Sequence, residues 1–200
     1  MTASPPLPRI GVLAIQGDYE AHAAALEESG AIASLVKTPE GLADLDGLVL
    51  PGGESTTMLK FLERGGFFEA LQAFAAQKPV FGTCAGTILL AREVRNPAQR
   101  SLSVMDITVE RNAYGRQNDS AIIHEPTSLP GGPLEMVFIR APRIVYTGPD
   151  VHILAHRDGF PVLVQQGKLL AATFHPELSP DHRVHSLFVK TVVCELESAR

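Results

Sequence analysis

The stretch Val80–Thr87, VFGTCAGT, places one of the chain's two cysteines between two glycines, after an apolar run and before a helix-like one. A Gly-x-Cys-x-Gly step from strand to helix forces a sharp turn that pushes Cys84 out at the carboxyl end of the strand. Serine hydrolases build the same elbow with G-x-S-x-G. The helix then begins at the sulfur. Its N-terminal dipole favours negative charge there, and the amide of Ala85 is free to donate to an oxyanion. The competing reading is a buried structural cysteine, the commoner fate of a free thiol.

A nucleophilic thiol needs a base, and the base needs an orienter. Of seven histidines, His175 is distinctive: it follows the apolar run Leu169–Phe174 in the text FHPEL, at a strand end, with Glu177 two residues on. In an open α/β sheet, strand ends on one edge share a crevice, which would bring Cys84 and His175 together. The remaining six read as surface or capping residues. His22 falls on a helix, His182 and His185 on the last helix, His124 in an irregular stretch, and His152 and His156 beside an apolar run. His182 and His185 have metal-ligand spacing but no third ligand, so no metal is expected.

The third chemical element is Pro51–Thr57, PGGESTT. Glycines at a strand end followed by hydroxyl residues expose backbone N–H groups to an anion or a carbonyl oxygen. A phosphate loop would need Gly-Lys-Ser/Thr, and a dinucleotide loop G-x-G-x-x-G; neither is present. The simpler reading is a helix cap, with Ser55 or Thr56 as the capping residue.

These residues require particular elements to hold them. Apolar runs at Ile10–Ile15, Ile32–Val36, Leu45–Leu50 and Pro79–Phe81 alternate with helix-like stretches ending near Glu28 and spanning Thr56–Glu63 and Phe67–Ala76. That rhythm marks a parallel sheet covered on both faces. After Ala91 the runs Val104–Glu110, Met136–Arg140, Val151–Ala155, Val162–Gln165 and Leu169–Phe174 follow without long helices. This half is expected to be antiparallel or mixed, with a hairpin turn at Gln166-Gly167-Lys168 and an amphipathic helix at Asp181–Leu196. Cys194 is assigned to that helix as a small packing residue, and Pro126–Pro133 to a loop.

The whole chain sets outer bounds. Its 200 residues, 45% hydrophobic and 20% charged, suit one soluble domain, here residues 1–200 with a flexible tail at 1–8. A net charge of −5 without a basic stripe argues against a nucleic-acid surface. No apolar run reaches membrane-span length, and the prolines of MTASPPLPRI do not suit a signal peptide. Two distant cysteines without Cys-x-x-Cys favour a reducing, cytoplasmic setting.

Taken together, LPGGES, GTCAG and FHPE resemble the class I, triad-type glutamine amidotransferases. LAIQG, LPGGESTTM, FGTCAGTILLA, VERNAYGRQ, FIRAP and FHPELSPDHRVHSLF are similar to one branch, the glutaminase subunits of pyridoxal 5′-phosphate synthases. The blocks run in order from Gly11 to about Val193. The resemblance implies a three-layer flavodoxin-like fold with a mixed central sheet and added antiparallel strands. It implies a Cys84–His175–Glu177 triad and L-glutamine as substrate, bound at the positions of Gly53, Glu54, Ser55, Arg111, Ile139 and Arg140. It further implies no cofactor, and as partner a separate synthase subunit. Thr87 stands where the family more often has an aliphatic residue, and Arg95–Ser101 and the region of His124 follow it loosely.

The chemistry expected is attack of the Cys84 thiolate on the glutamine amide, with the oxyanion held by the N–H groups of Ala85 and Gly53. Arg111 either anchors the substrate or pairs with a nearby acid such as Glu110. The Gln16-Gly17 turn and the Gly52-Gly53 peptide are expected to adjust when the synthase docks. Two rivals remain open: a docking module without catalysis, and a thiol hydrolase or peptidase on the same elbow.

Overall fold

The computed structural model describes residues 6–111 and 120–199. Four short strands open the chain: β1 (Arg9–Leu13), β2 (Ile32–Val36), β3 (Gly47–Leu50) and β4 (Val80–Thr83). Between them lie α1 (Tyr19–Glu28), α2 (Ser55–Leu62) and α3 (Phe67–Gln77), and α4 (Ala85–Leu90) follows β4. Then come β5 (Ala91–Arg95), β6 (Met105–Glu110), β7 (Ala121–Glu125), β8 (Leu134–Phe138), β9 (Arg143–Thr147), β10 (His152–Arg157), β11 (Phe160–Gln166) and β12 (Leu169–Ala172). The chain closes with α5 (Arg183–Ser198).

The main sheet has seven strands in the order β10-β11-β12-β4-β3-β1-β2. Strands β2, β1, β3, β4 and β12 pair in parallel, whereas β10, β11 and β12 form an antiparallel edge. The predicted hairpin is the β11–β12 connection. The second half is mixed, as expected, because β12 turns back to pair in parallel with β4, from Leu169↔Val80 to Ala172↔Thr83. Two smaller sheets, β5-β6-β9 and β7-β8, stand beside the main one. Strands β5, β7 and β9 are not legible as apolar runs, and His124, expected in irregular chain, lies on β7.

Side chains of alternate strand residues enter opposite layers, as the two-residue period of a strand dictates. Leu48, Leu50, Val80 and Ala171 join Met58, Phe67, Phe68, Ile88 and Leu89 on the α2–α3–α4 face. Val12, Val49, Phe81 and Leu170 join Leu26, Val184, Phe188 and Val192 on the α1–α5 face. This is the three-layer arrangement expected of a buried parallel sheet. Pro8 is already engaged, since its carbonyl accepts from the amide of Ile32. Among the described residues no helix is long and apolar enough to cross a membrane.

Candidate active site

Cys84 stands between β4 and α4 with φ 48° and ψ −103°, a left-handed region that a non-glycine residue occupies at a cost of about 1–3 kcal/mol. The expected elbow is therefore present, and its neighbours show how it is tolerated. A Cβ on Gly86 would lie 1.9 Å from the carbonyl oxygen of Leu50, so only glycine lets α4 press directly on β3. The Cys84 amide donates to the carbonyl of Ala172 at 2.8 Å, and the hydroxyl of Thr87 lies 2.6 Å from the same carbonyl oxygen. The departure at Thr87 thus supplies a second tie between the elbow and the end of β12.

Three residues beyond Ala172 comes His175. Its Nδ1 donates to Glu177 Oε1 at 2.7 Å, and the thiol of Cys84 acts on the same imidazole. The loop after β3 packs against both groups. A Cβ on Gly52 would fall 2.5 Å from His175 Cε1 and 3.5 Å from Cys84 Cβ. Burial opposes protonation of His175, but its hydrogen bonds to Cys84 and Glu177, with the charge on each, outweigh that. The imidazolium is pushed up to about 10. A donor acid is therefore in place at neutral pH.

Cys84 and His175 line a cleft of about 410 Å³. Gly53, Glu54, Ser55, Arg111, Ile139 and Arg140, the residues the resemblance points to, all line it, as does Gly17. Asp18, Ile88, Pro142 and Leu178 line it too, and nothing in the sequence marks them. Ala85 is fully buried behind the thiol, and Glu177 lies behind the imidazole with no side-chain exposure. Gln16 touches the cleft indirectly, its Oε1 accepting from the amide of Glu54 at 2.9 Å. Arg140 has φ 45°, a second strained backbone facing the same space.

The cap of α2 differs from expectation. Glu54, not Ser55 or Thr56, is the capping residue; its carboxylate accepts from the amides of Thr56 and Thr57 and from the Thr57 hydroxyl. A carboxylate outcompetes a hydroxyl for the exposed N–H groups of a helix start. The Thr57 hydroxyl first, and then the backbone amides, hold its carboxyl down at about 2. Arg111 reaches across to Thr56 Oγ1 at 2.7 Å and Glu54 Oε1 at 3.5 Å, so its acid partner is Glu54 rather than Glu110. Ser55 donates to Gln99 at 3.0 Å. Residues 112–117 of the VERNAYGRQ block lie outside the described residues.

Two histidines assigned to the surface are fully buried, His22 on α1 and His185 on α5. His22 Nε2 is 3.2 Å from Glu177 Oε2, directly behind the His175–Glu177 pair. A signal was available: His185 shares an apolar helical face with Val184, Phe188 and Val192, and His22 falls one turn before Leu26. Cys194, expected to pack, is exposed, because the α5 face that carries it points away from the sheet. Among the described residues no cluster of three metal-ligating side chains occurs.

Comparison with known proteins places the chain among its relatives. A pyridoxal 5′-phosphate synthase subunit PdxT of Koribacter versatilis is 60% identical over 184 residues, covering 92% of this chain and 95% of the relative. The PdxT protein of Thermotoga maritima is 50% identical over 186 residues, covering 92% and 99%. A crystal structure of a glutamine amidotransferase superposes with a TM-score of 0.85 at 42% identity, covering 92% of this chain and 98% of that one. A chain in the structure of PurLQS from Thermotoga maritima shares the fold at a TM-score of 0.64 and 17% identity, covering 98% and 100%. Residues 12–194, from the second half of β1 to within α5, match one family throughout, and the chain belongs to it: the SNO glutamine amidotransferases.

Proposed function

We propose that the chain is a glutaminase that hydrolyses L-glutamine to L-glutamate and ammonia, and passes the ammonia to a synthase subunit making pyridoxal 5′-phosphate. The observation that carries this reading is the series Cys84, His175, Glu177 beside a cleft lined by two arginines and a carboxylate. Arg111 and Arg140 suit a carboxylate, and Glu54 suits an ammonium, so the cleft matches the zwitterionic end of an amino acid. The side-chain amide then points to the thiol. The role within a synthase is supported by the PdxT relatives.

The sulfur of Cys84 attacks the amide carbon, and the carbonyl electrons move onto oxygen, where the N–H groups of Ala85 and Gly53 receive them. His175 gives its proton to nitrogen as the carbon–nitrogen bond breaks, releasing ammonia and leaving a thioester. The neutral imidazole takes a proton from water, hydroxide adds to the thioester carbon, and the carbon–sulfur bond breaks to release glutamate. Glu177 keeps the imidazole ring oriented through both halves.

Docking of the synthase gates this chemistry. The Gln16-Gly17 turn rests on the Pro51–Ser55 loop through the Gln16–Glu54 bond, and a Cβ on Gly17 would lie 2.1 Å from the Gly52 carbonyl oxygen. A partner that moves the turn therefore moves the Gly52-Gly53 peptide. Ammonia release from glutamine, measured for the chain alone, with the synthase, and for Cys84→Ala with the synthase, tests both parts. Release is expected to rise on docking and vanish in Cys84→Ala. Full activity in that variant overturns the mechanism, and equal rates for free and docked chain overturn the gating.

A further inference from the structure

The triad carboxylate is buried in a way that the triad itself does not explain. Glu177 has no side-chain exposure, and Oε1 is taken by His175. Oε2 has no well-aligned donor, and His22 Nε2, 3.2 Å away, faces it. The same nitrogen is 3.2 Å from the Thr83 hydroxyl, and His22 Nδ1 is 3.0 Å from His185 Nε2. One arrangement of protons fits all four atoms. A bare lone pair on His22 Nε2 would repel the carboxylate, so that nitrogen carries the proton and shares it between Glu177 and Thr83. Nδ1 is then an acceptor, and His185 must donate from Nε2. His185 Nδ1, which has no partner, is left as a lone pair rather than an orphaned N–H, the cheaper of the two buried outcomes.

We propose that His22, oriented by His185, is a positioning residue that holds the second oxygen of Glu177 and thereby fixes the carboxylate against His175. Both rings stay neutral. Burial, then the neighbouring His185 and His175, keep His22 well below the usual imidazole range, and burial followed by His182 brings His185 down to about 3. The groups facing the pair are accounted for: Thr83 from β4, Glu177 and His175 from the turn after β12, Phe81 edge-on, and His182, which is itself paired with Glu28 of α1. A neutral donor orients the carboxylate without competing with His175 for its charge.

The inference rests on the glutaminase reading for its kinetic test but not for its spectroscopic one. In the intact wild-type chain labelled with nitrogen-15 histidine, His22 and His185 should both be neutral and protonated on Nε2 at pH 7. A proton on His22 Nδ1, or a doubly protonated His22, overturns the proposal whatever the activity. In complex with the synthase, His22→Phe should lose about ten- to a hundredfold in kcat with little change in KM, the loss expected for one hydrogen bond to a charged group. His22→Gln, whose amide nitrogen can stand where Nε2 stands, should recover most of that loss. Equal kcat for His22→Phe and wild type, or equal damage from both variants, overturns it. If the wild-type complex releases no ammonia, the glutaminase reading fails, while the labelled spectrum still decides the proton arrangement.

Discussion

Gly52 shows how narrowly the reacting atoms are held. A methyl at this position would press on the His175 ring, 2.5 Å from Cε1 and 3.1 Å from the Nδ1 that Glu177 holds. The imidazole must therefore give way by a fraction of an ångström or more. Gly52→Ala is expected to lower kcat by about 100-fold, the order associated with a misplacement of that size, with the melting temperature little changed. Steady-state kinetics and a thermal melt on the same preparation check this. The proposed nucleophile, base and orienter were legible as candidates from residue types and spacing, because G-x-C-x-G and H-P-E are local patterns, and the family resemblance joined them into a triad. The residues behind them were not legible. His22, Thr83 and His185 come from three elements distant in sequence, and only the fold brings them together.

At the scale of elements, the position of the thiol depends on α4 lying directly on β3 and β4. All six residues of this short helix are buried, and Gly82 and Gly86 meet across the elbow at a separation no Cβ tolerates. Gly86→Ala would force the helix off the Leu50 carbonyl, an overpacking cost of about 3 kcal/mol or more. The expected result is a melting temperature lower by about 10 °C, read by calorimetry or circular dichroism, together with loss of activity. The parallel half of the sheet was evident from its alternating strands and helices. Strands β5, β7 and β9 were not: Arg92, Glu93 and Arg95 in β5, and His124 and Glu125 in β7, break the apolar pattern because these strands lie in small, half-exposed sheets.

For the whole molecule, the buried histidines fix how stability varies with acidity, and they act in opposite directions. His175 binds its proton in the folded state up to about 10, whereas the unfolded chain releases it near 6.5. Its contribution is complete below about pH 6.5 and is lost as the pH rises towards 10. His22 and His185 refuse protons that the unfolded chain accepts below about 6.5, so their contribution fades as the pH falls from there, that of His185 towards about 3. Urea unfolding across this range should show greatest stability near pH 6.5. In Cys84→Ala the alkaline decline should be shallower, because a partner that raises His175 is gone. A decline as steep as that of the wild type would show that the thiol does not govern this limb.

The parallel seam between β4 and β12 joins residues 80–83 to residues 169–172, and the thiol and the imidazole stand at its end. During synthesis the proposed nucleophile leaves the ribosome about ninety residues before its proposed general acid, and every strand from β5 to β12 is translated in the interval. A nascent or prematurely terminated chain lacking β12 can display the sulfur but has nothing to protonate a leaving amine. Ammonia release is thus withheld from unfinished copies by the order in which the strands are made, before any partner protein is involved.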